Sequence, residues 1–241
     1  MTAASKDQHS VTLPEGVSLQ RVARVLLDAW EAGSHQWTGT PLQLREGPKP
    51  APSAPAPQDA LDLFRLPHER QVDDRLVGGM AMLTYVKGRN TEDVDLLLSV
   101  AALAKIPELK IEEQNDFFAR GKFRSIRVDL LLTANPLFKI VAEKFATTHR
   151  FAEWEMPTAS IEGLIALKLY VLPSLYRQFD MDRAAIYEND ITMLIARHSP
   201  KLEPLTALAS QYAEPGDKKE LPKIISECCE RAKRLQQRAG R

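Results

Sequence analysis

Leu76-Val77-Gly78-Gly79-Met80 opens, and Thr91-Glu92-Asp93-Val94-Asp95-Leu96-Leu97-Leu98 closes, the stretch on which the reading of this chain turns. Leu76-Val77 predicts the end of a strand, Gly78-Gly79 a tight turn, and Met80 to Val86 an apolar helix. Val94 to Val100 is a nearly continuous apolar run and predicts a buried strand. Glycines between a strand and a helix let backbone approach a ligand, and the helix start offers unpaired N–H groups to phosphate oxygens. Asp93 and Asp95 stand two residues apart, so on a strand both carboxylates face the same side. Side by side they repel unless a cation lies between them. Hard oxygen ligands of this kind suit Mg²⁺, or Mn²⁺ in its place.

Further along, Ile126, Val128, Leu130 and Leu132 alternate and predict a second strand within Arg124 to Thr133. Asp129 interrupts that run with an acid that is costly to bury alone. A neighbouring strand would bring it to the same centre and complete a two-metal site. Each fragment alone has a plain structural reading, as a turn, a solvated strand end and an edge position.

Gly78-Gly79, thirteen intervening residues, Asp93-Val94-Asp95 and then Asp129 resemble the nucleotidyltransferase superfamily with the polymerase-β-like fold. Val77-Gly78-Gly79-Met80-Ala81 and Arg89-Asn90-Thr91-Glu92-Asp93 are similar to its small bacterial branch, which includes AbiEii-type toxins. The helical pattern of that branch is matched by Ser160, Glu162, Leu164-Ile165, Lys168 and Asp190-Ile191, and the resemblance covers roughly residues 60–200. Glu188-Asn189 stands where those toxins carry a basic stretch, a departure from the toxin subtype. The resemblance implies an α+β fold, a small mixed β-sheet core with a helical C-terminal half. It implies that Asp93 and Asp95 hold Mg²⁺ on a nucleoside triphosphate and that Asp129 joins a second metal. Gly78, Gly79, Arg89 and Lys168 would contact the nucleotide. Asp190 would orient Lys168 or act in the site, with a helix-packing role as its alternative. The acceptor would be an RNA, a protein or a small molecule; the alternative is a non-catalytic member that binds nucleotide or a partner.

Domain organisation follows composition. Five of the ten positions from Pro48 to Pro57 are proline, which predicts an extended linker over 47–58. Before it, Leu19, Val22, Leu26 and Trp30 recur at helical spacing behind Ser18, giving a helical extension over 1–46 that would dock on the body or on a protein partner. The expected core spans 59–155 and the helical region 156–241. Within the latter, Ser160 predicts the cap of a helix stopped by Pro173, followed by helices over Asp182 to Arg197, Pro204 to Tyr212 and Leu221 onward.

Lys+Arg and Asp+Glu both number 32, which argues against a uniformly cationic nucleic-acid binder. A local excess remains: Lys218 to Arg241 holds eight basic residues against three glutamates, a solvated helix end or an RNA-binding face. His9, His35, His68, His149 and His198 lack metal-ligand spacing. With adjacent Cys228 and Cys229 and no apolar run near the ~20 residues that span a bilayer, the expectation is a cytoplasmic globular protein without membrane contact.

Overall fold

The computed structural model describes residues 57–86, 91, 93–151 and 154–239. The expected N-terminal helix, nearly all of the linker, and Arg89 lie outside the described residues. Seven strands form one mixed sheet: β1 (Asp74–Val77), β2 (Asp93–Leu98), β3 (Leu109–Gln114), β4 (Phe118–Phe123), β5 (Ile126–Leu132), β6 (Ala146–Phe151) and β7 (Trp154–Ala159). Their spatial order is β3-β4-β5-β2-β1-β7-β6. β2 runs parallel to β5, and β1 parallel to β7. Antiparallel pairings complete the sheet.

Helix α1 (Pro57–Glu69) packs on β7 and buries Leu63 and Phe64. Helix α2 (Gly78–Tyr85) springs directly from β1 and leans on β1 and β2. Met80, Ala81, Met82 and Leu83 are all buried, so α2 has no solvent stripe and belongs to the core. A short turn of helix, α3 (Val100–Leu103), follows β2. Helix α4 (Pro136–Lys144) starts on Asn135, whose Oδ1 accepts from the N–H of Leu137 at 2.9 Å, with Pro136 in the first turn.

The C-terminal half is α5 (Ile161–Arg177), α6 (Met181–His198), α7 (Glu203–Tyr212) and α8 (Leu221–Ala239). α5 is the spine. It touches α2, α4, α6, α7 and β7. Ser160 caps it, as its residue type predicts, with Oγ accepting from the N–H of Gly163. Pro173 does not stop this helix, which continues to Arg177. Leu172, Pro173 and Leu175 are buried, and that packing offsets the ~3 kcal/mol helix penalty of an interior proline. The same holds in α1, where Pro67 lies inside the helix. The boundary expected between 155 and 156 falls within β7, so the sheet takes in the first residues of the helical half. Among the described residues no helix is long and apolar enough to cross a membrane.

Candidate active site

The turn between β1 and α2 is shaped by what presses on it. Gly78 has φ of 58°, in the left-handed region. A Cβ there would lie 1.9 Å from Oδ2 of Asp95. One residue on, the N–H of Gly79 donates to that same Oδ2 at 3.2 Å, and a Cβ on Gly79 would lie 2.4 Å from Oγ1 of Thr91. The Thr91 hydroxyl donates to the Asp93 carbonyl at 3.1 Å. The glycine pair therefore admits the acidic strand to within hydrogen-bond distance of backbone. That close approach is a structural reason for both glycines.

Strand register gathers the charged groups. Asp95 on β2 lies opposite Asp129 on β5, Asp129 opposite Arg120 on β4, and Arg120 opposite Glu113 on β3. Directly opposed residues share a sheet face, so Glu113, Arg120, Asp129 and Asp95 form one row. Asp93 faces the same side, opposite Arg127, whose guanidinium stands 3.9 Å from its carboxylate. Arg120 grips Asp129 with both nitrogens of its fork, Nε to Oδ1 at 2.7 Å and Nη2 to Oδ2 at 3.1 Å. Arg183 of α6 adds a second guanidinium 3.7 Å from Asp129.

Asp95 carries the electrostatic load. Burial pushes its carboxyl up to about 7, and the charges of Asp93 and Asp129 push the same way. The Lys168 ammonium and the Gly79 N–H pull against them without prevailing. A hard cation beside Asp93 and Asp95 would offset this repulsion, so the donor chemistry fits Mg²⁺ or Mn²⁺. Among the described residues, no three ligand side chains stand together as a metal cage. Mg²⁺ does not need one, since it takes one or two carboxylates and fills its shell with water and substrate phosphates. Asp93 and Asp95 are the pair that would hold it.

Lys168 lines the cleft from α5, yet its ammonium is already engaged. It lies 2.9 Å from Oδ2 of Asp190 on α6 and 4.2 Å above the Tyr187 ring. Lys168 and Asp190 are 4% and 1% exposed, so the pair joins α5 to α6 inside the protein. The cleft measures about 530 Å³, and Gly78, Asp95, Glu113, Arg120, Asp129, Lys168 and Arg183 are part of its lining. Gln114, Asn115, Ser174 and Gln178 supply neutral polar groups elsewhere on its lining. Asn115 has its Oδ1 bound to the N–H groups of Phe117 and Phe118, leaving its amide N–H₂ toward other partners.

Of the residues singled out in the sequence, Gly78, Gly79, Asp93, Asp95 and Asp129 come together, with Lys168 on the adjoining wall. Asp190 sits behind Lys168. Arg120, Arg183 and Tyr187 were not anticipated. For Arg120 a signal existed: Phe118, Arg120 and Lys122 are exposed in alternation with buried Ala119, Gly121 and Phe123. Arg183 and Tyr187 reach the site only through the packing of α6, which no local pattern announces.

No family model matches this sequence, and no curated protein matches it. Several solved structures are similar. One is ANT(2'')-Ia in complex with adenylyl-2''-tobramycin, at 13% identity and a TM-score of 0.49, covering 65% of this chain and 97% of that one. The antibiotic-resistance factor ANT(2'')-Ia in solution is 14% identical with a TM-score of 0.49, over 64% of this chain and 89% of that one. An antigenic nucleotidyltransferase-like protein from Paracoccidioides brasiliensis is 16% identical with a TM-score of 0.42, over 68% and 88%.

Proposed function

We propose that this chain is a metal-dependent nucleotidyltransferase, moving a nucleotide from a nucleoside triphosphate to an RNA, protein or small-molecule acceptor. The observation that carries the reading is the setting of Asp95. Its carboxylate is pressed against the Gly78-Gly79 turn, repelled by Asp93 and Asp129, and pushed up to about 7. A protein tolerates such a group where a cation neutralises it in use.

In this reading Asp93 and Asp95 hold Mg²⁺, and the turn before α2 lies beside the phosphates. The metal would supply charge neutralisation on the α-phosphoryl group and the departing pyrophosphate. The acceptor oxygen would bond to the α-phosphorus as the bond to the β-phosphate breaks. The chain's own part is positioning: the sheet fixes the carboxylate row, and α5 with α6 closes the opposite wall. Lys168 would act on the triphosphate by its field, because its ammonium is held by Asp190. Ser160, Glu162, Lys168 and Asp190 are the positions behind the AbiEii-type resemblance, and the last two meet as a pair.

The test is calorimetry of each nucleoside triphosphate with Mg²⁺ and with chelator, followed by transfer of labelled nucleotide to cellular RNA, protein and small-molecule fractions. The expected outcome is binding that requires the metal and is lost in Asp95→Asn. Equal affinity with chelator present would refute the reading.

A further inference from the structure

We infer that Arg120 is an internal cation that withholds Asp129 from the metal until nucleotide phosphates draw the guanidinium away. The inference rests on the nucleotidyltransferase reading and adds to it a residue and an order of events. Both oxygens of Asp129 are taken by the Arg120 fork, at 2.7 and 3.1 Å. Those are the same oxygens a metal would need. The pairing is set by register, since Arg120 and Asp129 are opposed across β4 and β5 and Asp129 is opposed to Asp95 across β5 and β2.

The exchange is balanced in charge. A phosphate presents the same planar pair of acceptor oxygens as a carboxylate and carries more charge, so a guanidinium can move from one to the other without being left bare. Asp129 would then be free to join Asp93 and Asp95 in holding the metal that accompanies the phosphates. The side chain has room to do this: Arg120 is 47% exposed on a cleft wall, while Asp129, at 13%, stays fixed on its strand. Arg183, 3.7 Å from Asp129, remains to steady the carboxylate during the exchange. The competing account is a permanent brace between β4 and β5, with no part in metal binding.

The two accounts separate in the metal affinity of the nucleotide-free protein, read by electron paramagnetic resonance of Mn²⁺ on the full chain. Arg120→Gln should tighten Mn²⁺ binding roughly tenfold, the order expected for releasing a charge-assisted bidentate pair, and should weaken binding of ATP with Mn²⁺ by a similar factor. Arg120→Gln should tighten Mn²⁺ binding less in an Asp129→Asn background than in the unaltered chain, because there is then no carboxylate to release. An equal gain in both backgrounds is a bare charge effect and overturns the proposal, as does no gain at all. Should Arg120→Gln melt early, Arg120→Lys decides: it keeps the charge and loses the fork, so a gain supports the exchange and its absence refutes it. Failure of the unaltered chain to bind any of the four nucleoside triphosphates with Mn²⁺ would refute the nucleotidyltransferase reading and the exchange with it. Intact ATP binding with no gain in the variants would refute the exchange alone.

Discussion

Asp95 and Asp129 are direct partners across the parallel pair β2 and β5, so two acids face one another in the middle of the sheet. Parallel register is unforgiving here, because a slip of one residue on either strand would turn one carboxylate into the apolar core beneath. Val94, Leu96, Val128 and Leu130 fill that core and are all at most 1% exposed. The apolar face thus pins the register, and the register creates the repulsion.

That repulsion predicts how stability depends on pH. Asp95 titrates near 7 in the folded protein and near 3.9 when unfolded, so the folded state binds the extra proton between those values. The contribution of Asp95 to stability is therefore greatest below about pH 4, falls as pH rises, and levels off above about 7. Asp74, pushed up to about 6 by burial, contributes in the same direction. Asp95→Asn should flatten the profile and stabilise the protein at pH 8 by roughly 1–3 kcal/mol, since a half-buried charge repelled by Asp93 and Asp129 is removed while the Gly79 N–H keeps an acceptor. Melting temperature against pH for both proteins checks this; identical slopes would show that Asp95 is not the titrating group. Metal-dependent nucleotide binding should weaken as pH falls through about 7, because proton and cation compete for Asp95.

A Cβ at position 78 has nowhere to go. Gly78→Ala must relax both a φ of 58° and a 1.9 Å approach to Asp95. It should cost at least about 2 kcal/mol and remove nucleotide binding. Gly216→Ala is the internal control, with nothing within 4 Å of its Cβ and φ of −67°, and should change stability by less than about 0.5 kcal/mol. Denaturant unfolding of both variants reads the difference.

The buried Lys168–Asp190 pair should reveal itself as coupled. Lys168→Ala takes the ammonium away from a buried carboxylate between α5 and α6 and should cost about 3–5 kcal/mol. Of the two places open to a cation on this apolar helix, snorkelling to solvent or reaching into a cleft, the 4% exposure of Lys168 and its place on the cleft lining match the second. Lys168→Met combined with Asp190→Asn removes both charges and should recover most of that loss. A double-mutant cycle by chemical denaturation measures the coupling; simple additivity would mean that the two side chains do not depend on each other. Because the single variant is destabilised, its activity is interpretable only beside the double variant.

Local pattern carried the strand–glycine–helix turn, the β2 and β5 runs, and the cap at Ser160, because each depends on residues within a few positions of one another. The spacing of Asp93 and Asp95 placed both carboxylates on one face by the two-residue strand period alone. The edge strands escaped notice for a physical reason: β3 exposes five of its six residues and half of the six are charged, so no sustained apolar alternation marks it. Pro173 likewise breaks a helix on propensity and continues one in the folded protein, since burial of Leu172 and Leu175 outweighs the lost hydrogen bond. Sequence alone determined which residues carry charge and which strand face holds them. Only the tertiary structure decided their partners. The β4 register delivers Arg120 to Asp129, and the packing of α6 against α5 delivers Asp190 to Lys168, contacts between residues 9 and 22 positions apart in the chain. Pairing of this kind is set by strand order and helix packing, and neither is encoded in the spacing of any single motif.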